Sequence, residues 1–381
     1  MEINGYLIVP GADLTGAKLS VFELRDNDLR RITFKDADLS DTNFNGSNLA
    51  ETLFWRANLR FTNFTNANLS STSFWEANLE GAVLTNTTIG STTGKGGDEY
   101  TDFLNANLRG ADLSENDWSG FEPINMSNAN LEQANLSGGT FMFILDEASL
   151  VDANLRGAHL TVSSFDADFS RTDCRQAHFQ NFSVSGSKFF KVNLSDSTIK
   201  NCKFGNWEEW SSGEMGTGDK FSQVTFTGAE ISSSSFEGTT LESIDLREVK
   251  FNDVTFLDCQ FIDTNFSDVD LTGVKLTDSQ ISKSSFKDTN LSGANLDSSY
   301  FKNCNFEGAD LTDAIVTGAV FENCDFNSFT PPIPANYKWF DKYRNNPPGA
   351  AAFFAEGSRQ QKLAKKKALI EAGASIFEHQ E

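Results

Sequence analysis

The hydrophobic pattern between residues 34 and 79 repeats every five residues. Phenylalanine and leucine alternate at the repeating position, in the order Phe34, Leu39, Phe44, Leu49, Phe54, Leu59, Phe64, Leu69, Phe74 and Leu79. A compact residue such as Ala37 or Thr52 lies two positions before most of them, and the residue between is often Asn or Asp. A period of five fits neither a helix nor a plain strand. It predicts a short extended segment followed by a two-residue corner, wound into a coil with an apolar interior.

The same register extends well beyond this stretch. It is unbroken from Leu14 to Ile89 and from Phe221 to Phe326, with shorter blocks between, and amounts to about 59 repeats. Because each coil of such a chain contacts only its neighbours, 381 residues do not imply several globular domains. Four-residue steps from Phe141 to Leu145 and from Phe165 to Phe169 predict a locally bent or tightened corner.

The recurring motif Ala-Asp/Asn-Leu resembles the repeat of the pentapeptide-repeat protein family. It occurs, for example, at Ala12-Asp13-Leu14, Ala106-Asn107-Leu108, Ala111-Asp112-Leu113, Ala153-Asn154-Leu155 and Ala309-Asp310-Leu311. The resemblance implies an all-β solenoid, a right-handed quadrilateral β-helix with four repeats in each coil. Successive coils would then rise by roughly 4.8 Å, the spacing of neighbouring strands.

Breaks in the register predict the domain organisation. Residues 1–330 form the β-helix, with inserted loops near 90–100, which is rich in glycine, and near 205–220. Residues 331–381 form a C-terminal cap, a hinge and a basic helical extension, because the prolines after residue 330 prevent further strand pairing. The helix is predicted over about 359–372, with Ser358 as its N-cap and Gly373 after its end.

Outward tryptophans are the first candidate binding feature. Trp55 and Trp75 lie twenty residues apart at the same corner position, so they are expected to stack on adjacent coils. Arg56 and Glu76 are expected to form an exposed ion pair beside them. The tryptophans either bind a partner or pack under the loop near 90–100. Trp207 and Trp210, in the second insertion, either fold back onto the β-helix or meet a partner.

The basic tail is the second candidate binding feature. Its predicted helix carries Lys362, Lys365, Lys366 and Lys367 next to apolar residues. A helix this short is marginal alone. It is therefore expected to dock on this chain, on a second copy, or on something acidic.

Composition and charge give no indication of a catalytic or metal-binding site. The net charge is −22, and the acidity is concentrated between residues 205 and 334. The three histidines show no metal-ligand spacing, and we expect no cofactor, metal or catalytic residue. Cys304 and Cys324 lie twenty residues apart, which permits a disulfide, but cysteine in place of buried alanine is the favoured interpretation. No secretory or membrane-spanning pattern is present, so a cytoplasmic location is expected.

These features predict a non-catalytic scaffold or assembly protein that acts through its solenoid surface and its tail. The expected partner is a protein, such as a large multi-subunit assembly, or a second copy of the chain. Direct binding of nucleic acid by the acidic solenoid is disfavoured by like charge. The alternative, implied by the resemblance because some family members mimic duplex DNA through acidic faces, is a DNA-mimicking modulator of type II topoisomerase. Asp253, Asp258, Asp263 and Asp268 share one corner position in four consecutive repeats, which predicts an acidic collar on four sides. An enzyme is the remote alternative.

Overall fold

A computed structural model describes residues 1–90, 100–120, 122–205, 219–330 and 367–377. The chain divides into two compact units, Met1–Thr198 and Ile199–Glu381. In the first unit, residues twenty apart pair in parallel, as in the bridges from Thr33 to Leu53 and from Leu53 to Ser73. In the second unit, Gln260 pairs with Gln280, and Gln280 pairs with Tyr300. Twenty residues therefore make one coil of four repeats, and the quadrilateral β-helix predicted from the sequence is confirmed.

Strands are short, because a corner follows every few residues. The first unit contains β1 (Glu2–Ile3), β2 (Tyr6–Leu7), β3 (Asp117–Trp118), β4 (Ile124–Asn125), β5 (Thr140–Ile144), β6 (His159–Phe165), β7 (His178–Gln180), β8 (Ser183–Ser185) and β9 (Lys188–Phe190). β10 (Thr198–Lys200) spans the division. The second unit contains β11 (Lys203–Gly205), β12 (Lys220–Ser222), β13 (Glu230–Ser232), β14 (Ser235–Glu237), β15 (Thr240–Glu242), β16 (Lys250–Asn252), β17 (Thr255–Leu257), β18 (Gln260–Ile262), β19 (Lys275–Thr277), β20 (Gln280–Ser282), β21 (Tyr300–Lys302), β22 (Val320–Glu322) and β23 (Ser375–Phe377).

Phenylalanine rings form continuous columns inside the first unit. The rings of Phe34 and Phe54 stack at 5.3 Å with an interplanar angle of 8°, and those of Phe54 and Phe74 stack at 5.2 Å. Phe44 and Phe64 form a second column on the opposite side, and its rings meet the first column edge-on. These five side chains are fully buried. The predicted stacking of every twentieth phenylalanine is confirmed.

The corner residues adopt an unusual backbone conformation that the repeat requires. The second corner residue has a positive φ in coil after coil, as in Asp36 at 58° and Asp41 at 57°. The turn at Asp36 is closed by a hydrogen bond of 3.1 Å from the Ala37 N–H to the Phe34 carbonyl. Asn, Asp and Gly tolerate this region better than other residues. The corner therefore accounts for much of the Asn, Asp and Gly in the sequence.

Polar residues of the repeat satisfy backbone and side-chain groups of adjacent coils. The buried Thr52 and Thr72 hydroxyls donate to the carbonyls of Leu29 and Leu49, at 3.0 and 2.9 Å. Outward Asn and Asp residues form ladders, as where Asn58 Nδ2 donates to Asp38 Oδ1 at 2.9 Å. A buried hydroxyl without a partner would be costly. Threonine at the compact position is tolerated because the preceding coil supplies an acceptor.

One predicted detail of the corners is wrong. The four-residue steps near Phe141 and Phe165 do not tighten a corner. After Phe165 the ordinary corner is kept, at Asp166 with a φ of 54°. Between Phe141 and Leu145, in contrast, β5 runs straight and pairs with β6 along five residues, from Thr140 with His159 to Ile144 with Ser163. Losing one corner residue removes the turn, and the side chains then alternate as in an ordinary strand.

Short elements precede the first coil and follow the last one in the described parts of the chain. At the N-terminus, β1 and β2 form an antiparallel hairpin. Near the C-terminus, residues 367–371 are helical, and the turn that follows has Gly373 at a φ of 95°. Leu369 is fully buried, and β23 pairs in parallel with β22. The described part of the tail therefore docks on its own unit and covers the edge of the last coil, which would otherwise be open to pairing. The predicted start of the helix lies outside the described residues.

Candidate functional site

A groove of about 580 Å³ opens on one face of the first unit. Its floor is a ladder of outward residues from successive coils, in which Ser73 is bridged to Asp102 and Asp102 to Asn125. One wall consists of the corner residues Trp55, Trp75 and Leu104, and Tyr100 and Pro123 also line the groove. The structure thus places both predicted tryptophans of this unit in one concave site.

Two insertions account for the position of the groove. Ser73 and Asp102 pair although they are 29 residues apart, and Asp102 pairs with Asn125 across 23 residues. Since an uninterrupted coil has twenty residues, each coil has gained residues, and both gains fall at the corner before this face. Tyr100 and Pro123 follow these insertions directly. The sequence predicted the insertion near 90–100, and the pairing of Asp102 with Asn125 places the second insertion at the same corner.

The two tryptophans contact each other edge to face. Their ring centroids are 5.9 Å apart with an interplanar angle of 80°, and both side chains are half-buried. Trp55 Nε1 donates a hydrogen bond of 2.9 Å to the Ser73 hydroxyl. The indole of Trp55 is therefore fixed to the groove floor, and the apolar ring surfaces line the opening.

Asp102 is the one acidic residue that lines the groove in the described part of the chain. Its carboxylate accepts hydrogen bonds from the Ser73 hydroxyl and from the Leu104 N–H. Burial nevertheless raises the pKa of Asp102 above its ordinary value, and these two bonds only partly offset that effect. Other rungs, such as Asn58 and Asn107, have asparagine at the same repeat position. A neutral residue would therefore suit the ladder, and the charge at Asp102 is a cost that the fold does not require.

Replacing Asp102 by asparagine is expected to raise the Tm at pH 7 by roughly 1–2 °C. The folded-state pKa lies above the unfolded value, so the stability linked to protonation is present at low pH and is lost as the pH rises through the folded pKa. Asparagine never ionises, and the gain should shrink as the pH is lowered toward 4. Thermal unfolding followed by circular dichroism measures both values. Asp112→Asn, at the same repeat position on another face, is the matched control. A Tm at pH 7 no higher than that of the control would contradict the expectation.

The predicted ion pair between Arg56 and Glu76 is wrong. Arg56 instead makes two hydrogen bonds to Asp36 on the preceding coil, at 2.7 and 2.9 Å. Its guanidinium carbon also lies 5.8 Å from the centroid of Trp75. Asp36 and Glu76 each lie one coil away from Arg56, on opposite sides. Arg56 pairs with Asp36 and at the same time lies near the Trp75 ring.

Of the remaining predicted binding residues, the structure describes Lys367 alone. Trp207, Trp210, Lys362, Lys365 and Lys366 lie outside the described residues. Lys367 is exposed, and its ammonium group lies 3.6 Å from the Glu371 carboxylate in the tail. A binding role for any of these residues stays a prediction.

The acidic residues of the second unit surround their coils. Asp253, Asp258, Asp263 and Asp268 all occupy corners with a positive φ of 51–61°. Because the four corners of one coil point in different directions, these carboxylates are spread around the β-helix. They do not form one acidic face.

The histidines and cysteines offer little chemistry. His159 and His178 stack at 4.4 Å on β6 and β7, a pair that their spacing did not predict. Burial and the neighbouring His159 lower the pKa of His178. Burial raises the pKa of the Cys174 and Cys259 thiols to about 12, and Cys304 and Cys324 form no disulfide. Within the described ranges, no group of three or more potential metal ligands comes together.

Comparison with family models identifies the repeat. A model described as a pentapeptide repeat region matches residues 11–84 and 218–286, and one described as pentapeptide repeats (8 copies) matches residues 167–206 and 289–327. Together these ranges cover more than half of the chain. The chain belongs to the pentapeptide-repeat family. No curated protein sequence matches this pentapeptide-repeat protein.

Several solved structures are similar to this pentapeptide-repeat protein. HetL, a pentapeptide-repeat protein involved in heterocyst differentiation regulation in the cyanobacterium Nostoc, is 19% identical over 80% of this chain and 92% of its own, with a TM-score of 0.17. QnrB1, a plasmid-mediated fluoroquinolone resistance protein, is 17% identical over 64% of this chain and 89% of its own, with a TM-score of 0.27. A pentapeptide-repeat protein of the Arabidopsis thaliana thylakoid lumen is 26% identical over 40% of this chain and 71% of its own, with a TM-score of 0.15.

In the parts of the chain that the structure describes, no helix is long and apolar enough to cross a membrane.

Proposed function

We propose that this pentapeptide-repeat protein is a non-catalytic interaction protein that binds a partner protein through the groove of Trp55 and Trp75. The observation that carries the proposal is the groove itself. Two half-buried indoles, a tyrosine and a proline surround a polar floor on an otherwise regular face. Tryptophan and tyrosine are enriched among the residues that dominate protein interfaces. Neither ring is required by the repeat, because the same corner position carries Arg60, Thr65 and Ser70 in the three repeats between them.

The geometry suits a partner that inserts a side chain. A volume of about 580 Å³ is enough for one large side chain with adjoining backbone. The fixed coils present the walls on a rigid scaffold, which lowers the entropy lost on binding. The tail takes no part in this proposal, because its described residues dock on their own unit. We propose a protein partner rather than nucleic acid, since the net charge of −22 repels phosphate.

Site-specific photo-cross-linking tests this function. A benzoylphenylalanine at Leu104, which lines the groove, is expected to yield a discrete cross-linked protein in cells of the source organism. The same group at Arg109, the equivalent corner of the next repeat, serves as the positional control. Adding Trp55→Ala and Trp75→Ala should reduce the adduct by about tenfold or more, because truncation of anchor aromatics removes most interface energy. Phe61→Ala, an exposed aromatic on another corner, should leave it within about twofold. Equal adducts from both positions would refute the proposal.

The topoisomerase alternative is not favoured. DNA mimicry requires negative charge arranged along one face, whereas the corner aspartates point in four directions. The similarity to QnrB1 shows the fold alone. Neither observation supports a modulator of type II topoisomerase over a general interaction protein.

A further inference from the structure

We propose that the groove receives the arginine side chain of a basic segment in the partner protein. This inference rests on the proposed function and names the chemistry that the groove recognises. The site combines aromatic ring surfaces, from Trp55, Trp75 and Tyr100, with one carboxylate, from Asp102. Aromatic faces and a carboxylate both attract a cation, and a partly dehydrated site strengthens both interactions.

The Asp102 carboxylate is available for a further donor. Its two hydrogen-bond donors, the Ser73 hydroxyl and the Leu104 N–H, are both neutral. Among the described residues, no lysine or arginine forms an ion pair with it, whereas Asp28, Asp36, Asp152, Asp173 and Asp245 each pair with an arginine. A carboxylate has about four acceptor sites, so two donors leave room for a guanidinium. The negative charge therefore has no counter-charge among the described residues and would gain one from a ligand.

Trp75 already lies next to one guanidinium group. The Arg56 guanidinium lies 5.8 Å from the Trp75 ring while it pairs with Asp36. Arg56 is not among the residues that line the groove, so this contact does not fill the site. Asp102 and the aromatic walls could hold a second guanidinium in a similar combination of ring face and carboxylate.

Arginine fits the groove better than lysine for two reasons. Its planar guanidinium stacks on aromatic rings, and its fork of N–H groups matches a carboxylate, whereas the lysine ammonium is a compact and strongly hydrated charge. The strongly acidic chain also draws a basic segment toward its surface and raises the rate of association. The occupant is therefore a cationic peptide segment with arginine at its centre.

Titration of the full-length protein with small probes tests the inference. The probes are N-acetyl-arginine methylamide, its neutral analogue made with citrulline, and its lysine analogue, at constant ionic strength. Indole N–H signals of the tryptophan-labelled protein report binding, and single substitutions assign those of Trp55 and Trp75. We expect saturable shifts of these two signals at arginine-probe concentrations on the order of millimolar, since one side chain makes few contacts. Citrulline should bind about tenfold more weakly, because it lacks the charge.

Two variants separate the carboxylate from the scaffold. Asp102→Asn should weaken arginine-probe binding by about tenfold and leave citrulline-probe binding unchanged. Asp112→Asn, at the equivalent position on another face, should change neither. Equal binding of arginine and citrulline, or lysine binding at least as tightly as arginine, would overturn the inference. An Asp102→Asn variant that binds arginine normally would do the same.

The test also distinguishes this inference from the proposed function. If the arginine probe binds but no protein is cross-linked at Leu104, the arginine site is supported and the proposed protein partner is refuted. If a protein is cross-linked and saturating arginine probe does not change the yield of the adduct, the protein partner is supported and the arginine site is refuted.

Discussion

Replacing Phe54 by alanine is expected to lower the free energy of unfolding by about 3–5 kcal/mol. The Phe54 ring is fully buried and lies between Phe34 and Phe74, with centroid distances of 5.3 and 5.2 Å. It also meets Phe44 and Phe64 edge-on. Alanine would leave a cavity that four rings border, and the hydrogen-bonded coils above and below cannot collapse into it. Urea unfolding of the first unit, followed by circular dichroism, measures the loss.

Phe61→Ala provides the control for this change. Phe61 lies in the same region but at a corner, and its side chain is 54% exposed. Its replacement is expected to cost less than about 1 kcal/mol. Since a solenoid unfolds in contiguous segments, hydrogen exchange should also show that protection falls mainly in the coils next to Phe54. Similar losses for both substitutions would show that the stacked column does not hold the coils together.

Replacing Gly205 by alanine is expected to destabilise the second unit by roughly 3 kcal/mol or more. Gly205 ends β11 with a φ of 114°, outside the region that corner residues use. A Cβ at this position would lie 1.6 Å from the carbonyl oxygen of Glu237, its partner on β14. Backbone atoms cannot rotate away as a side chain does, so the strands must separate locally. Calorimetry on the full chain, with hydrogen exchange of residues 203–205 and 235–237, measures the effect.

Gly293→Ala is the matched control for the glycine substitution. Gly293 is a corner residue with a φ of 65°, and a Cβ there would meet no atom within 4 Å. Its replacement carries only the cost of a positive φ, about 1 kcal/mol. If Gly205→Ala costs no more than Gly293→Ala, the close approach of β11 to β14 is not a constraint on the fold.

The sequence determined the architecture because the position of a residue within the repeat predicts which residues of the adjacent coils it contacts. Phe34, Phe54 and Phe74 stack because residues twenty apart occupy the same place in successive coils. Inward and outward positions follow from the same rule, and so do the positive-φ corners. The helix end at Gly373 was also predictable, since glycine is suited to the conformation that ends a helix. Each of these features is local or strictly periodic.

The tertiary structure alone decided three features that the repeat spacing did not predict. Arg56 has an acidic residue one coil away on either side, and exposed ion pairs differ too little in energy for sequence to choose Asp36 over Glu76. The sequence left open whether the tail docks on its own chain, on a second copy or on another molecule. In the structure, β23 of the tail pairs with the edge of β22. Counting places Asp102 in the same column as Ser73, but it does not predict that Tyr100 and Pro123 line a groove with the tryptophans. The period fixes which residues face inward, whereas the path of an inserted segment depends on packing that no repeat encodes.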